Sequence, residues 1–340
     1  MDRQPAQSGA FNGHSTGGRV GCQRKVERIL PLPPENPLTV YFAKAKIKEV
    51  KCGDPAVKEP AMNTKIITDS SSNMLSLAGA DFASVPLKII TETAEFVDDA
   101  SLSVEEMVEH IRTTKGKSGT SCPNVQDWLD AFQGADQVFA ITITSNLSGS
   151  YASAVQAKAD YEESHPGARV HIVDSLSAGP ELRLIAEYIQ RETAAGVEFA
   201  DIVRDVAEYQ THTHTIFSLQ SLTNLARNGR VNPAVAKIAG VLGIRVVGIA
   251  SDVGTLEPLH KPRGEKKAIE CLLAEMKKRG FRGGEVCISH CLNMESAEAL
   301  KNLILGEFPQ AQVRIEPCTG LCSFYAERGG MIIGYTDLAE

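Results

Sequence analysis

Short apolar runs alternate with amphipathic stretches along most of the chain, starting at Lys65. In the first half, the runs that predict strands span residues 65–71, 85–91, 136–144 and 168–175. The stretches between them that predict helices span residues 103–114, 125–134, 150–164 and 180–196. This β–α alternation is typical of a mainly parallel sheet with helices on both faces.

A second unit of the same class is predicted from about Thr213. It opens with a strand and a short helix within residues 214–231, followed by a helix at 232–243. Further strands are predicted at 244–251, 255–261, 285–290, 312–317 and 329–335, and helices at 264–280 and 296–308. The pattern therefore predicts an α/β fold with two domains, residues 62–212 and 213–340, and mainly parallel or mixed sheets.

The first 61 residues differ from the rest in composition. They carry ten Lys and Arg against six Asp and Glu, which is a net charge of +4. The remaining residues carry a net charge of −11, and the two parts together give the total of −7. They are rich in Gly, Pro and polar residues and contain one short strand-like run, LTVYFAKAKI. We expect a disordered or non-native extension, with the domain proper starting at Met62.

The overall composition excludes several classes of protein. A net charge of −7 argues against a nucleic-acid partner, which normally requires a basic face. No apolar run approaches the roughly 18 residues of a transmembrane helix, and the N-terminus lacks the apolar stretch of a secretory signal. The eight cysteines then predict reduced thiols in a cytoplasmic protein.

The segment TITSNLSGSYASA, residues 142–154, is the strongest chemical signal. A buried strand leads into Thr144, Ser145 and Ser148, and Gly149 and Ser150 then open a helix. Hydroxyl groups and free backbone N–H groups at a helix N-terminus bind anions well. Because the segment contains no charged residue, it favours holding an anionic head group over cleaving a bond. An ordinary Ser/Gly turn with a Ser N-cap is the alternative.

Polar clusters follow three of the predicted strands. They lie at Asp69–Asn73, Thr144–Ser150 and Asp174–Ser177. Because the carboxyl ends of parallel strands share one edge of a sheet, we expect these loops to converge on a ligand.

Arg230 and His290 are the candidate basic residues. His290 ends the strand EVCISH, and Arg230 follows the flexible Gly229. Both residue types suit binding or transfer of an anion, although a hydrogen-bonded histidine and a surface ion pair are the alternatives. Glycine-rich nucleotide motifs and the G-x-S-x-G elbow are missing. A triad of Ser148, His290 and an Asp nevertheless stays open, because triads are identified by geometry.

Two pairs of cysteines have close spacing: Cys287 with Cys291, and Cys318 with Cys322. His290 lies inside the first pair. We predict ordinary thiols and no metal site, because one pair falls on a strand end and the other in a loop.

Several stretches together resemble the DegV family of fatty-acid-binding proteins. The similar stretches are KIITDSSSNM, GTSCPNVQDWLDAF, ITITSNLSGSYASA, HIVDSLSAG and the long run that starts at SLTNLARNGRV and ends at RGEKKAI. They occur in the order expected for the family, and the resemblance covers about residues 63–336.

The resemblance implies one long-chain fatty acid in a cleft between the two α/β domains, with its tail in an apolar tunnel. The ligand-binding residues that it implies are Thr120, Ser121, Thr144, Ser145, Ser148, Gly149, Asp69 and Ser70. Arg230 and His290 match basic positions associated with phosphoryl transfer or partner docking. The resemblance implies no cofactor besides the fatty acid. Its implied partner is a separate ATP-dependent fatty acid kinase subunit that makes acyl phosphate for phospholipid synthesis.

One segment departs from the family pattern. Cys318-Thr319-Gly320-Leu321-Cys322 stands where many members have His-x-Gly-Pro-Gly, so the glycine is kept but the histidine and proline are absent.

The residues and the resemblance together leave two candidate functions. The first is a lipid carrier without catalytic residues of its own. The alternative is a hydrolase or transferase that acts on a small anion at the same loops, with Ser148 or His290 as catalyst.

Overall fold

A computed structural model describes residues 62–114, 116–234 and 243–338 of the chain. Its strands are β1 (Thr64–Asp69), β2 (Asp81–Val85), β3 (Lys88–Thr91), β4 (Glu95–Val97), β5 (Ser118–Ser121), β6 (Gln137–Thr142), β7 (Arg169–Asp174), β8 (Thr213–Leu219), β9 (Val246–Ala250), β10 (Leu256–His260), β11 (Glu285–His290), β12 (Gln312–Pro317) and β13 (Met331–Thr336). The predicted extension 1–61 and most of the helix predicted at 232–243 lie outside the described residues.

The helices of the described residues connect these strands. They are α1 (Val104–Thr113), α2 (Val125–Phe132), α3 (Ser150–Ser164), α4 (Pro180–Ala194), α5 (Phe199–Tyr209), α6 (Thr223–Arg227), α7 (Glu265–Lys278), α8 (Met294–Glu307) and α9 (Gly320–Ala326). Local sequence explains several of their starts. Ser103 caps α1, Asn124 and Asp127 form a reciprocal capping box on α2, and Pro180 occupies the first turn of α4.

The first sheet is parallel and has the strand order β2-β1-β6-β7. Every residue of β6 is buried, as expected for a central strand with helices on both faces. Phe139 and Ile141 pack towards α4 and α5, whereas Val138 and Ala140 pack with Trp128 of α2 in a separate cluster. The carboxyl ends of β1, β6 and β7 therefore meet at one edge.

The second sheet is mixed, with the order β10-β9-β8-β13-β11-β12. Only β11 and β12 pair in parallel, and the other neighbours are antiparallel. Ile216, Ile288 and Ile333 face the apolar cores of α7 and α8. The opposite face, with Thr215, Phe217 and Ile332, is the one that concerns the functional site.

The strand predicted at 85–91 is wrong in one respect. Residues of this stretch belong to two strands, β2 in the parallel sheet and β3 in a small antiparallel sheet with the order β4-β3-β5. Pro86 lies between them and has no N–H to continue the ladder. The sequence pattern also failed to indicate α5 and α9.

The mixed α/β fold class is confirmed. The parallel sheet lies entirely before residue 213 and the mixed sheet begins at Thr213, but the domain boundary itself stays a prediction. Among the described residues, no helix is long and apolar enough to cross a membrane.

Candidate functional site

A cavity of about 330 Å³ lies where the carboxyl ends of the parallel strands face the mixed sheet. Its apolar lining residues include Leu87, Ile143, Leu147, Phe217, Leu219, Leu225, Leu256, Leu321 and Ile332. Its polar lining residues are Thr120, Ser121, Thr144, Ser148, Ser177, Thr215, Arg230, Thr255 and Tyr325. The volume falls within the range of about 300–1,000 Å³ that is typical of small-molecule sites. This combination suits a ligand with a long apolar part and a polar end.

Asp69 forms hydrogen bonds to both ends of the hydroxyl-rich loop between β6 and α3. This carboxylate is fully buried and accepts hydrogen bonds from the Ile143 backbone N–H at 2.9 Å and the Ser150 hydroxyl at 2.7 Å. It also accepts hydrogen bonds from the hydroxyl of Ser71 at 2.5 Å and from its backbone N–H at 3.2 Å. Burial raises the pKa of Asp69, and these donors oppose that shift. Asp69 therefore shapes the loop and does not line the cavity.

The turn between β9 and β10 closes against the same loop. Gly254 has φ of +76°, and a Cβ atom at that position would lie 2.1 Å from the Thr144 hydroxyl oxygen. The side-chain amide of Asn146 donates to the carbonyl of Val253 at 2.6 Å. A side chain at this position would clash with Thr144, and the positive φ is unfavourable for residues other than glycine. Glycine therefore allows the turn to pack over the loop.

Arg230 joins the mixed-sheet side of the cavity to the hydroxyl loop. Its Nε donates to the carbonyl of Leu147 at 3.1 Å, and its Nη1 donates to the carbonyl of Asn228 at 2.5 Å. The surface ion pair considered from sequence is wrong, because these carbonyl contacts are its partners among the described residues. Of the described residues that line the cavity, Arg230 is also the only charged one. An anion bound in the cavity would therefore lie near the Arg230 guanidinium group, whose position these two hydrogen bonds already fix.

Two further polar pairs span the cavity wall. The hydroxyls of Thr120 and Tyr325 lie 2.8 Å apart, and the Ser177 hydroxyl donates to the Thr215 hydroxyl at 2.8 Å. The first pair joins β5 of the small antiparallel sheet to α9, and the second joins the loop after β7 to β8 of the mixed sheet. Tyr325, Ser177 and Thr215 were not among the predicted site residues. Ser177 belongs to a polar strand-end cluster that the sequence did indicate, whereas no pattern singled out Thr215 or Tyr325.

The structure divides the predicted ligand-binding residues into two groups. Those that line the cavity are Thr120, Ser121, Thr144, Ser148 and Gly149. Those that do not are Ser145, Asp69 and Ser70. Ser145 is exposed, and its backbone N–H donates to Asp174. Ser70 is buried, and its hydroxyl accepts a hydrogen bond from the Leu87 backbone N–H at 3.0 Å.

His290 lies on the opposite face of the mixed sheet from the cavity, so it does not contact the proposed ligand site, and its role in phosphoryl transfer or partner docking stays a prediction. It lies on the same face of β11 as Val286 and Ile288, which pack against α7 and α8, and it is 6% exposed. Its Nδ1 accepts a hydrogen bond from the Asn293 backbone N–H at 3.1 Å, and burial lowers its pKa. A Ser148–His290 pair is therefore not formed, and the triad considered from sequence is wrong.

The segment that departs from the family pattern forms the start of α9. Asp98, 2% exposed, accepts hydrogen bonds from the backbone N–H groups of Gly320 at 2.5 Å and Leu321 at 2.9 Å. Burial raises the pKa of Asp98. A Cβ atom at Gly320 would lie 2.5 Å from the Leu102 side chain and 2.8 Å from a carboxylate oxygen of Asp98, so a larger residue would disturb this contact. Asp98 thus fixes the helix that carries Leu321 and Tyr325 into the cavity wall.

The four closely spaced cysteines are buried free thiols. Burial raises the pKa of Cys291 to about 11 and raises the pKa values of Cys287, Cys318 and Cys322. Within the described residues, no group of three or more His, Cys, Asp or Glu side chains could hold a metal ion.

Comparison with known proteins gives a consistent result. The model of a family described as "Uncharacterised protein, DegV family" matches residues 63–336. A DegV domain-containing protein of Streptococcus pneumoniae is 41% identical over 278 residues, which cover 81% of this chain and 99% of the relative.

Two solved structures are similar in fold as well as in sequence. One is a DegV family protein from Eubacterium eligens loaded with heptadecanoic acid, with 41% identity, a TM-score of 0.79, and coverage of 80% of this chain and 99% of the other. The second is the Fatty Acid Kinase (Fak) B3 protein of Streptococcus pneumoniae loaded with linoleic acid. It has 41% identity, a TM-score of 0.80, and coverage of 82% and 100%.

Proposed function

The chain belongs to the DegV family, and from that premise we propose that it binds one long-chain fatty acid in the cavity and presents the carboxylate to a separate kinase. The observation that carries the proposal is the composition of the cavity wall: apolar side chains line most of it, and hydroxyl groups cluster at the loop before α3. Similar proteins loaded with heptadecanoic and linoleic acid support the choice of ligand.

The physical chemistry of a fatty acid fits this wall. Each buried methylene contributes about 0.8 kcal/mol, so a tail of about 16 carbons contributes on the order of 10 kcal/mol before ordering costs are subtracted. The carboxylate needs fixed hydrogen-bond donors once it leaves water. We assign that role to Thr120, Ser121, Thr144 and Ser148, with Arg230 as the neighbouring cation.

Ser148 and Ser145 provide a matched test of the head-group assignment. Ser148→Ala removes a cavity hydroxyl, and we expect fatty-acid affinity to fall roughly 10- to 100-fold, because a hydrogen bond to a charged group contributes about 1.5–3 kcal/mol. Ser145→Ala removes an exposed hydroxyl three positions away and should leave affinity unchanged. Displacement of a fluorescent fatty acid from delipidated protein measures both. Equal affinity in the two variants would remove Ser148 from the site.

The kinase step is the finer part of the proposal. The carrier contributes a positioned carboxylate, and the partner contributes ATP and the phosphoryl transfer. The similarity to the Fatty Acid Kinase (Fak) B3 protein of Streptococcus pneumoniae supports this role. Among the described residues, Arg230 is best placed to assist the phosphoryl transfer, because it lines the cavity proposed for the fatty acid and donates to the carbonyl of Leu147.

A comparison of Arg230 with His290 tests the kinase step. With a fatty acid kinase subunit and ATP, we expect Arg230→Gln to lower acyl phosphate formation on the order of 100-fold at saturating lipid, by loss of one charged donor. His290→Asn should keep the rate within about twofold when the protein stays folded, because His290 faces away from the cavity. A rate that falls for His290→Asn and not for Arg230→Gln would reverse the assignment.

A further inference from the structure

A second cavity, of about 860 Å³, shares a wall with the first. Helices α6 and α9 form that wall. Leu225 of α6 lines the first cavity, whereas Thr223 and Arg227 of the same helix line the second. In α9, Tyr325 lines the first cavity and Phe324 the second. The second cavity is therefore a separate space and not an extension of the proposed lipid site.

The lining of the second cavity carries an excess of positive charge. Among its described lining residues, four are arginines, Arg112, Arg227, Arg245 and Arg328, and one is acidic, Glu327, so the lining carries a net charge of +3. Residues 62–340 carry −11 in total. A concentration of positive charge inside an acidic protein attracts anionic ligands, because a concave wall focuses the field.

Two of the arginines are free to bind a ligand. Arg245 pairs with Glu265 and donates to a backbone carbonyl, and Arg112 pairs with Glu109. Arg227 and Arg328 are exposed, and neither forms a hydrogen bond or an ion pair with any other described residue. Their guanidinium groups provide planar pairs of donors that match the oxygens of a phosphate group.

The backbone of the second cavity is strained. Leu292, with φ of +50°, and Glu327, with φ of +54°, both line it. Only four described residues other than glycine have positive φ. The Glu327 side chain accepts hydrogen bonds from the Ser221 hydroxyl at 2.8 Å and the Asn224 backbone N–H at 3.1 Å, which hold this conformation. Strained residues kept in place by their surroundings cluster at functional sites.

We propose that the second cavity binds an organic diphosphate, such as a nucleoside diphosphate. Arg227 and Arg328 would hold the phosphoryl oxygens, and the hydroxyl of Thr223, on the same helix as Arg227, adds a neutral donor. Val108 and Ile111 provide an apolar side for the organic part of the ligand.

Isothermal titration calorimetry with ADP and with inorganic pyrophosphate tests the proposal on the full chain. The wild-type protein binds at least one of the two probes with one-to-one stoichiometry, and binding weakens as salt concentration rises. Arg227→Gln and Arg328→Gln each lower the affinity at least tenfold. Neither change breaks a hydrogen bond or an ion pair with a described residue, so both variants should keep the wild-type melting temperature. Arg204→Gln, at an exposed arginine of α5 outside the cavity, is the matched control and keeps the wild-type affinity.

Three results would overturn the proposal. The first is no heat of binding for either probe at millimolar concentration. The second is unchanged affinity in both cavity variants. The third is an equal loss in the Arg204→Gln control, which would indicate nonspecific attraction to basic side chains.

Discussion

Ala178→Phe abolishes retention of the fatty acid while the fold stays intact. Ala178 lies between β7 and α4, lines the lipid cavity and packs beside Leu87, Ile143 and Leu321. A phenyl ring at this position occupies space that the acyl chain needs, and the cavity of about 330 Å³ has little to spare. We expect affinity for a C16–C18 fatty acid to fall at least about 100-fold, equivalent to roughly 2.8 kcal/mol.

A matched control separates filling of the cavity from general disturbance. Ala195→Phe adds the same ring at an exposed position after α4 and should bind like the wild type. Lipid extracted from purified protein and quantified by mass spectrometry compares the three proteins, and circular dichroism confirms that each is folded. Full lipid occupancy in Ala178→Phe would show that the acyl chain lies elsewhere.

Asp69→Ala destabilises the protein by about 3 kcal/mol or more. The change leaves the Ile143 backbone N–H and the hydroxyls of Ser71 and Ser150 without their acceptor. An unsatisfied buried donor costs about 1–3 kcal/mol, and partial access of water offsets some of the total. The hydroxyl loop should also loosen, because Asp69 connects the end of β1 to both ends of that loop.

Asp81→Ala is the control for the second prediction, because this aspartate is exposed at the start of β2. It should change the free energy of unfolding by no more than about 0.5 kcal/mol. Urea denaturation followed by circular dichroism measures both variants. If Asp69→Ala unfolded at the same urea concentration as the wild type, Asp69 would not organise the loop.

Most helices and strands could be predicted from the sequence, because hydrophobic periodicity and helix-start residues mark them locally. The mostly apolar β6 and the hydroxyl loop after it can be predicted from sequence, since a strand, a Gly-Ser step and a helix start each have a sequence signature. Pro86 offered a similar signal for the break between β2 and β3. It was missed because the apolar run continues across it.

The candidate site was only partly readable for a different reason. A carboxylate that faces a ligand and one that turns back to bind the backbone look alike in sequence, which is why Asp69 was placed among the ligand residues. His290 did carry a usable signal, because it shares strand parity with Val286 and Ile288 and therefore their buried face. Tyr325 contacts Thr120 from 205 positions away, and such pairing depends on tertiary structure alone.

The most direct test of the central claim is a crystal structure of the chain saturated with a C16–C18 fatty acid. We expect the acyl tail to pack against Leu219, Leu225 and Ile332. We also expect a carboxylate oxygen within about 2.5–3.2 Å of the hydroxyl of Ser148 or Thr120. A lipid bound outside this cavity, or one whose carboxylate contacts none of the loop hydroxyls, would contradict it.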